Sequence, residues 1–249
     1  MKSQLGQNFL INKNDINDFI EFCNLEMQDN VLEIGVGEGA ITKYIVPRVN
    51  KFIGVEVDID LINKIYKLQN PNYKLQIING DFLKLNLSKL IKKEKINKII
   101  GAIPYYISSP IIHKILKEST EPLKYVYLIT QKEFAKKVVS KANKKSYFTN
   151  LIGKYGKIKP GGLIKNTSFS PIPKVDSYSF GIEFTKYPKE ASNVVKWSRY
   201  LHFIFSNPRK KINKKFNKNI FDKLKIDSNK RPEDLTQEEV LKLYKEQKV

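Results

Sequence analysis

The chain has 249 residues, of which 41% are hydrophobic, so it can form one sizeable core with a small appendage or two modest domains. Its 45 Lys and Arg residues outnumber 25 Asp and Glu residues, and the net charge of +20 favours a polyanionic partner such as nucleic acid, unless an AT-rich genome alone explains the lysine excess. A single cysteine, Cys23, excludes an intrachain disulfide, and no spacing of metal ligands is evident, so we expect no metal site. The sequence shows no targeting segment and no apolar run long enough for a membrane helix, which predicts a cytoplasmic protein.

Strand-like and helix-like stretches alternate through the first two thirds of the chain. Apolar, β-branched runs predict strands at Asn30–Gly37, Lys51–Asp58, Tyr73–Phe82, Lys95–Pro104 and Leu123–Thr130. Segments with helical spacing separate several of these runs, which predicts a parallel sheet covered on both faces. The run Asp176–Phe184 alternates with a period near two and follows the turn-like segment KIKPGG, so we expect it to pair antiparallel at or near the sheet edge.

The composition changes near Tyr187. From Ala191 onward the segments NVVKWSRYLHFIF, PRKKINKKF and TQEEVLKLYKEQ have helical patterns, and Pro208 would lie in the first turn of the second helix. These patterns predict an α/β domain at residues 1–187 and a small all-helical domain at residues 188–249.

The segment LEIGVGEGA places Gly35, Gly37 and Gly39 in a predicted strand-to-helix turn. Such a turn lets a ligand approach free backbone N–H groups. The spacing, with an acid at Glu56, also fits a loose dinucleotide fingerprint, so a nicotinamide enzyme, a methyltransferase and a plain structural turn all remain open.

Two acids end the predicted strands that follow this turn. Glu56 and Asp81 lie at the carboxyl edge, where open α/β sheets bind ligands. Glu56 can accept both hydroxyls of a ribose, and Asp81 can accept an adenine amine or cap the turn below it. Either acid alone could be a solvated strand end, but Gly35, Glu56 and Asp81 together favour an adenosine ligand that needs no pyrophosphate cradle.

The order and spacing of several motifs resemble the rRNA adenine N6-dimethyltransferases, over about residues 3–243. The motifs are LGQNFL at Leu5–Leu10, EIGVGEG, GVEVD, NGDF, IPYYISSP, FSPIPKVDS and RPEDL. That family has a KsgA-type branch acting on small-subunit rRNA and an Erm-type branch acting on large-subunit rRNA. GQNFL and FxPxPKVxS are specific to the family, whereas SYFTNL at Ser146–Leu151 departs from its usual Tyr-Gly-Arg-Leu-Ser.

The resemblance implies a Rossmann-like class I methyltransferase sheet with a small C-terminal helical domain, and S-adenosylmethionine as cofactor. It implies that Tyr105 and Phe169 sandwich the target adenine, since aromatic faces replace the stacking of an extruded base at about 1–3 kcal/mol. Without the resemblance, Phe169 could be a hydrophobic loop residue. The implied cofactor residues are Asn8, Leu10, Gly35, Gly37, Glu56 on the ribose, Asp81 on the adenine amine, and Ala102.

The loop after the fourth predicted strand lacks one polar residue of the family pattern. The family has Asn-Leu/Ile-Pro-Tyr where this chain has Ala102, Ile103, Pro104 and Tyr105. In the family pattern the Asn side chain and a backbone carbonyl near Ile103 or Pro104 accept the hydrogens of the adenine amine. Alanine removes one acceptor, and a loss of roughly 1.5–3 kcal/mol would slow transfer about 10- to 150-fold.

The C-terminal segments FSNPRKKINKKF and NKRPEDLTQEEVLKL resemble the KsgA-type branch more than the Erm-type branch. Six basic residues and no acid lie between Arg209 and Lys218, which favours an RNA-backbone surface over a solvated helix face. The predicted RNA-binding residues are Arg209, Lys210, Lys211, Lys214 and Lys215.

The expected function is methylation of adenine N6 in rRNA, at two adjacent adenines near the 3′ end of small-subunit rRNA, by a monomer with activity reduced by Ala102. Two alternatives remain: an Erm-type reaction on large-subunit rRNA, and a catalytically weak RNA-binding assembly factor. A nicotinamide oxidoreductase would explain neither GQNFL nor IPYY.

Overall fold

A seven-stranded sheet forms the centre of the protein. The computed structural model describes residues 8–67, 75–140 and 144–247, so the start of the LGQNFL motif and of the predicted third strand lie outside the described residues. The strands are β1 (Phe9–Leu10), β2 (Asn30–Ile34), β3 (Lys51–Glu56), β4 (Leu75–Asn79), β5 (Lys98–Ala102), β6 (Tyr125–Gln131), β7 (Gly156–Ile164), β8 (Phe169–Ser170) and β9 (Ser177–Phe184).

The sheet has the order β4-β3-β2-β5-β6-β9-β7. Its first five strands are parallel, and β9 pairs antiparallel with both β6 and β7. The two remaining strands, β1 and β8, pair antiparallel in a separate small sheet. The predicted parallel sheet and the antiparallel strand near its edge are therefore confirmed.

The edge strand itself was not predicted. The segment KIKPGG, interpreted from the sequence as a turn, lies within β7, which pairs with β9 through an irregularity between Pro160 and Leu163. A strand at the edge tolerates proline because one side of it needs no donor for a neighbouring strand, and a bulge accommodates the two glycines.

Helices connect the strands and cover the sheet. They are α1 (Lys13–Cys23), α2 (Thr42–Ile45), α3 (Ile59–Lys67), α4 (Leu87–Glu94), α5 (Ser108–Glu118), α6 (Lys132–Val139), α7 (Tyr147–Gly153), α8 (Ala191–Phe205), α9 (Lys218–Leu224) and α10 (Gln237–Glu246). Alternate residues of the central strands supply the two faces, since Leu32 and Ile34 belong to one buried cluster and Val31 to the other. None of the described helices is long and apolar enough to cross a membrane.

The C-terminal helices share a hydrophobic core with the sheet. Trp197, Leu201 and Val240 are fully buried in the same cluster as Leu128 of β6. The indole N–H of Trp197 also donates to the backbone carbonyl of Asn150, at 3.2 Å. The predicted division into domains at residues 1–187 and 188–249 stays a prediction.

The basic segment is not the helix that its pattern predicts. Helix α8 ends at Phe205, Pro208 lies in a turn, and the only helical residues before α9 form a short 3₁₀ turn at Ile212–Lys214. Proline is tolerated in a first helical turn, but residues 206–210 form turns and bends instead of a helix. Ile212 is fully buried and anchors the segment to the core.

Candidate active site

The carboxyl ends of the parallel strands surround a cavity of about 370 Å³. Glu56 ends β3 opposite Asn79 of β4, and Ala102 ends β5 opposite Ile129 of β6, so these strand ends lie at the same edge. All the residues predicted to bind the cofactor or to act in catalysis line this cavity: Asn8, Leu10, Gly35, Gly37, Glu56, Asp81, Ala102, Ile103, Pro104, Tyr105 and Phe169.

The glycine-rich loop adopts the backbone that its sequence requires. Gly35 and Gly37 have φ values of +73° and +57°, a region that side chains with a Cβ rarely adopt. The Gly35 N–H donates to the carbonyl of Val55 at 2.9 Å, which ties the loop to β3. A Cβ on Gly37 would lie 3.1 Å from the ring of Phe9, so β1 packs directly over the loop.

Three backbone N–H groups hold the Glu56 carboxylate in place. Gly37 donates to Oε2 at 2.9 Å, and Val57 and Asp58 donate to Oε1 at 2.9 and 3.1 Å. A carboxylate offers about four acceptor positions, so one position on Oε2 is left for a ribose hydroxyl. Binding of a second hydroxyl would have to replace the bond from Gly37.

Asp81 caps the turn below it, one of the two roles considered from the sequence, and its binding of the adenine amine stays a prediction. Its Oδ1 accepts the Leu83 N–H at 2.8 Å and caps the short 3₁₀ turn at Phe82–Lys84. Its Oδ2 has no hydrogen-bond partner within residues 8–67, 75–140 and 144–247, and is available to an adenine amine. Glu56 and Asp81 thus offer acceptor positions that suit adenosine, beside a Gly loop whose Gly35 and Gly37 N–H groups bond within the protein.

The loop after β5 carries the predicted catalytic positions. The Ile103 N–H continues the pairing with β6 by donating to the Ile129 carbonyl at 3.0 Å. The Pro104 carbonyl accepts from the Ile107 N–H at 3.3 Å and from the Ser108 hydroxyl at 3.2 Å. Of the two carbonyls considered from the sequence, that of Ile103 is therefore the better acceptor for an incoming amine.

Tyr105 and Phe169 differ in how much of the ring is accessible. Tyr105 is partly buried, its hydroxyl lies 2.8 Å from Ser177 Oγ, and burial raises the pKa of the phenol so that it stays neutral. Phe169 is only 3% exposed and packs with Leu10, its partner in the small sheet. The packing role that the sequence left open for Phe169 is therefore real, and its role in a base sandwich stays a prediction.

Tyr106 and Glu33 also line the cavity, although neither was among the predicted site residues. Tyr106 is 65% exposed, whereas Glu33, two residues before Gly35, is only 1% exposed. Burial raises the pKa of Glu33 to about 8, against a lowering by the hydrogen bond that Thr42 Oγ1 donates at 2.7 Å. The sequence signal for Glu33 was a single acid within the apolar run NVLEIGVG.

The predicted RNA-binding residues are not equivalent. Lys215 Nζ donates to the Phe203 carbonyl at 2.6 Å and to Ser206 Oγ at 2.8 Å, and burial lowers its pKa. Lys211 donates to Asn229 Oδ1 at 3.0 Å. The side chains of Arg209, Lys210 and Lys214 are exposed. Lys215 thus ties the basic segment to the end of α8, and RNA binding by the other residues stays a prediction.

Comparison with known proteins identifies the family. The family model described as ribosomal RNA adenine dimethylase matches residues 1–248. "Ribosomal RNA small subunit methyltransferase A" of Fusobacterium nucleatum is 34% identical over 98% of this chain and 96% of its own, and the protein of the same name from Mycoplasma mycoides is also 34% identical with the same coverage.

Two solved structures share the fold. A dimethyladenosine transferase from Plasmodium falciparum superposes with a TM-score of 0.80 at 26% identity, covering 94% of this chain and 95% of that one. The 23S rRNA methyltransferase ErmE superposes with a TM-score of 0.71 at 22% identity, covering 96% and 98%. The predicted class I methyltransferase fold is confirmed, and the chain belongs to the ribosomal RNA adenine dimethylase family of S-adenosylmethionine-dependent methyltransferases.

Proposed function

We propose that the protein methylates N6 of two adjacent adenines near the 3′ end of small-subunit rRNA, within the assembling small subunit. The observation that carries the proposal is the shared cavity: the acids that suit adenosine at the ends of β3 and β4 and the aromatic loop after β5 line one space. A methyl donor and a target base can therefore meet there. The relatives from F. nucleatum and M. mycoides, which bear a small-subunit name, support this substrate over the Erm-type alternative.

Each group of residues has a distinct part in this reaction. Glu56 and Asp81 orient the adenosine part of S-adenosylmethionine, which supplies an electrophilic methyl group when bound. Tyr105 offers a ring face to the extruded adenine, and its bond to Ser177 fixes that ring. The Ile103 carbonyl accepts one hydrogen of the adenine amine, which favours the geometry in which the nitrogen lone pair can attack.

Ala102 is the observation that favours a second candidate function. No side-chain acceptor stands at this position, so transfer depends on the backbone carbonyl alone. A protein with slow chemistry can still act as an RNA-binding assembly factor. In both cases the protein acts as a monomer in the cytoplasm, where it meets its rRNA.

Labelled S-adenosylmethionine and isolated ribosomal subunits test the proposal. Small subunits lacking the modification should accept label, and nuclease mapping should locate it as dimethyladenosine at two neighbouring positions. Large subunits serve as the matched control and should stay unlabelled. Label in the large subunit would favour the Erm-type reaction, whereas tight binding to the small subunit without label would favour the assembly factor.

A further inference from the structure

Glu33 lies at the end of the cavity where the methionine part of the cofactor would be bound. In the proposed placement, Asp81 holds the adenine at β4 and Glu56 holds the ribose at β3, which leaves the ends of β2 and β5 for methionine. Glu33 pairs with Ile100 of β5, and Ala102 is two residues further along that strand. Side chains two residues apart share a face of a sheet, so Glu33 and Ala102 lie on the same side.

The Glu33 carboxyl group is buried without a positive partner. It is 1% exposed, and none of the ion pairs in the described parts of the chain involves it. Thr42 Oγ1 donates to Oε2 at 2.7 Å, while Oε1 has no hydrogen-bond partner among the described residues. Among the described residues, a few side-chain polar atoms are sealed from solvent and lack a hydrogen-bond partner, and Glu33 Oε1 is not one of them. This is expected if Oε1 reaches the cavity that Glu33 lines.

Glu56, the other carboxyl group of the cavity, has many more hydrogen-bond donors than Glu33. Its two oxygens accept three backbone N–H groups, whereas Glu33 accepts one hydroxyl. An isolated carboxylate is costly to bury, so a group in this setting keeps its proton. Burial accordingly raises the pKa of Glu33 to about 8.

We propose that Glu33 is a proton-bearing residue that becomes the counter-ion for the cationic methionine end of the cofactor. The carboxyl group holds its proton in the unliganded protein and releases it to solvent when the ligand enters. The buried carboxylate then faces a positive charge inside the cavity. This inference rests on the cofactor placement proposed above, and it makes Glu33 a cofactor-binding residue whose ionisation is coupled to entry of a cationic ligand.

The charges on the ligand predict how its affinity depends on pH. S-adenosylmethionine carries a sulfonium and an ammonium group, and S-adenosylhomocysteine retains only the ammonium. An opposite charge within a buried site favours the ionised carboxyl. Cofactor binding and Glu33 deprotonation must then be linked, and affinity rises with pH until Glu33 is ionised in the free protein.

Two other titratable groups face Glu33. Glu56 on β3 raises the pKa of Glu33, and Cys23 on α1 interacts with it. Burial holds the pKa of Cys23 well above its ordinary value, so that thiol stays neutral in the range of interest. Thr42 on α2 does not titrate, but its hydrogen bond lowers the pKa of Glu33.

Calorimetry can count the released protons directly. S-adenosylmethionine is titrated into the full-length protein at pH 7 in phosphate and in Tris, which differ in ionisation enthalpy. We expect nearly one more proton released by the natural protein than by Glu33→Gln, because a pKa of about 8 leaves Glu33 mostly protonated at that pH. Subtracting the variant cancels the titration of the ligand's own amine.

Affinity gives a second readout. The dissociation constant of the natural protein should fall roughly tenfold between pH 6.5 and 8 relative to Glu33→Gln. The matched control Glu133→Gln removes an exposed acid on α6 that pairs with Lys136 at 3.2 Å, and it should behave like the natural protein. A titration with S-adenosylhomocysteine then shows which positive group of the cofactor Glu33 faces. Equal proton release with the two ligands identifies the ammonium group, and release with S-adenosylmethionine alone identifies the sulfonium.

Equal proton release by the natural protein and by Glu33→Gln overturns the inference while the proposed function stands. Failure of S-adenosylmethionine to bind at all contradicts the proposed function instead. If Glu33→Gln does not fold, Thr42→Val provides the test. It keeps Glu33 but removes the hydroxyl that lowers its pKa, so the affinity change should move to higher pH, and an unmoved midpoint overturns the inference.

Discussion

The hydroxyl of Tyr105 lies 2.8 Å from Oγ of Ser177, where the loop after β5 meets the first residue of β9. Ser177 is fully buried, so this bond fixes the phenol end of the ring while the ring itself lines the cavity. We therefore expect Tyr105→Ala to abolish methyl transfer, because it removes one face for the adenine. Tyr105→Phe should retain transfer with a loss of about tenfold or less, because only a hydrogen bond worth about 1 kcal/mol is removed.

Single-turnover transfer onto unmodified small subunits measures both variants, and calorimetry with S-adenosylmethionine serves as the control. Cofactor affinity should change little in either protein, since neither change touches Gly35, Glu56 or Asp81, the proposed adenosine-binding residues. Equal loss of transfer in the Phe and Ala variants would show that the hydroxyl, rather than the ring face, carries the role.

Glu56 should be indispensable for the cofactor. Glu56→Ala removes the proposed ribose acceptor and also leaves the N–H groups of Gly37, Val57 and Asp58 without their carboxylate. We expect S-adenosylmethionine binding to weaken at least tenfold, with a measurable loss of thermal stability. NAD should bind neither protein. Calorimetric binding of NAD, or unchanged S-adenosylmethionine affinity in the variant, would contradict the assigned role.

RNA binding should depend on the exposed basic residues rather than on Lys215. Changing Arg209, Lys210 and Lys214 to Gln should weaken binding to rRNA and reduce its salt dependence. Each lost phosphate contact lowers the slope of log affinity against log salt by about 0.7 to 0.9. Filter binding over a salt series measures the slope, and cofactor affinity should stay the same.

The matched control changes Lys89, Lys92 and Lys93 of α4 to Gln. These three lysines are also exposed, so the control removes the same number of positive charges. It should leave the slope closer to that of the natural protein, because the effect depends on position. Lys215→Gln should instead lower thermal stability, since Lys215 holds the Phe203 carbonyl and Ser206. Equal slopes for the two triple variants would mean that the RNA surface lies elsewhere.

Glu33 should make the unliganded protein less stable as pH rises. Its pKa is raised by burial from about 4.5 to about 8, so between these values the folded state holds a proton that the unfolded chain has lost. The free energy of unfolding therefore falls as pH rises across that window, and Glu33 contributes at most about 1.4 kcal/mol per pH unit to this fall. The Glu33→Gln variant should lack this contribution. Urea unfolding from pH 5 to 8 compares the two proteins. Parallel curves would show that Glu33 titrates near its ordinary value.

The sequence predicted the sheet and its ligand-binding edge because both follow from local patterns. Gly35, Glu56 and Asp81 each stand at the end of an apolar run, and parallel strands bring such ends together. The pattern could not predict edge strand β7, because Pro160 and its neighbouring glycines are turn residues until a bulge beside β9 accommodates them. It also could not show that Lys215 is bonded internally, since that depends on the path of the chain after α8.

Ala102 provides the sharpest test of how the loop works. It ends β5, opposite Ile129, and its methyl group stands where the family pattern has an amide oxygen. Ala102→Asn restores that acceptor and should raise the rate of single-turnover transfer by roughly one to two powers of ten. Ala102→Leu is the matched control, because leucine has nearly the shape of asparagine without an acceptor, and it should bring no gain.

The two outcomes separate the candidate functions. Cofactor affinity should change much less than the rate in Ala102→Asn, because Glu56 ends β3 and Asp81 follows β4, away from the loop after β5. An assembly factor without chemistry predicts the same background rate for all three proteins, together with unchanged binding to the small subunit. Equal rates well above background would mean that the Ile103 carbonyl, or a neighbour such as Tyr106, already supplies every acceptor that the amine requires. In that case the missing amide would carry no cost, and the loop would differ from the family pattern in sequence but not in chemistry.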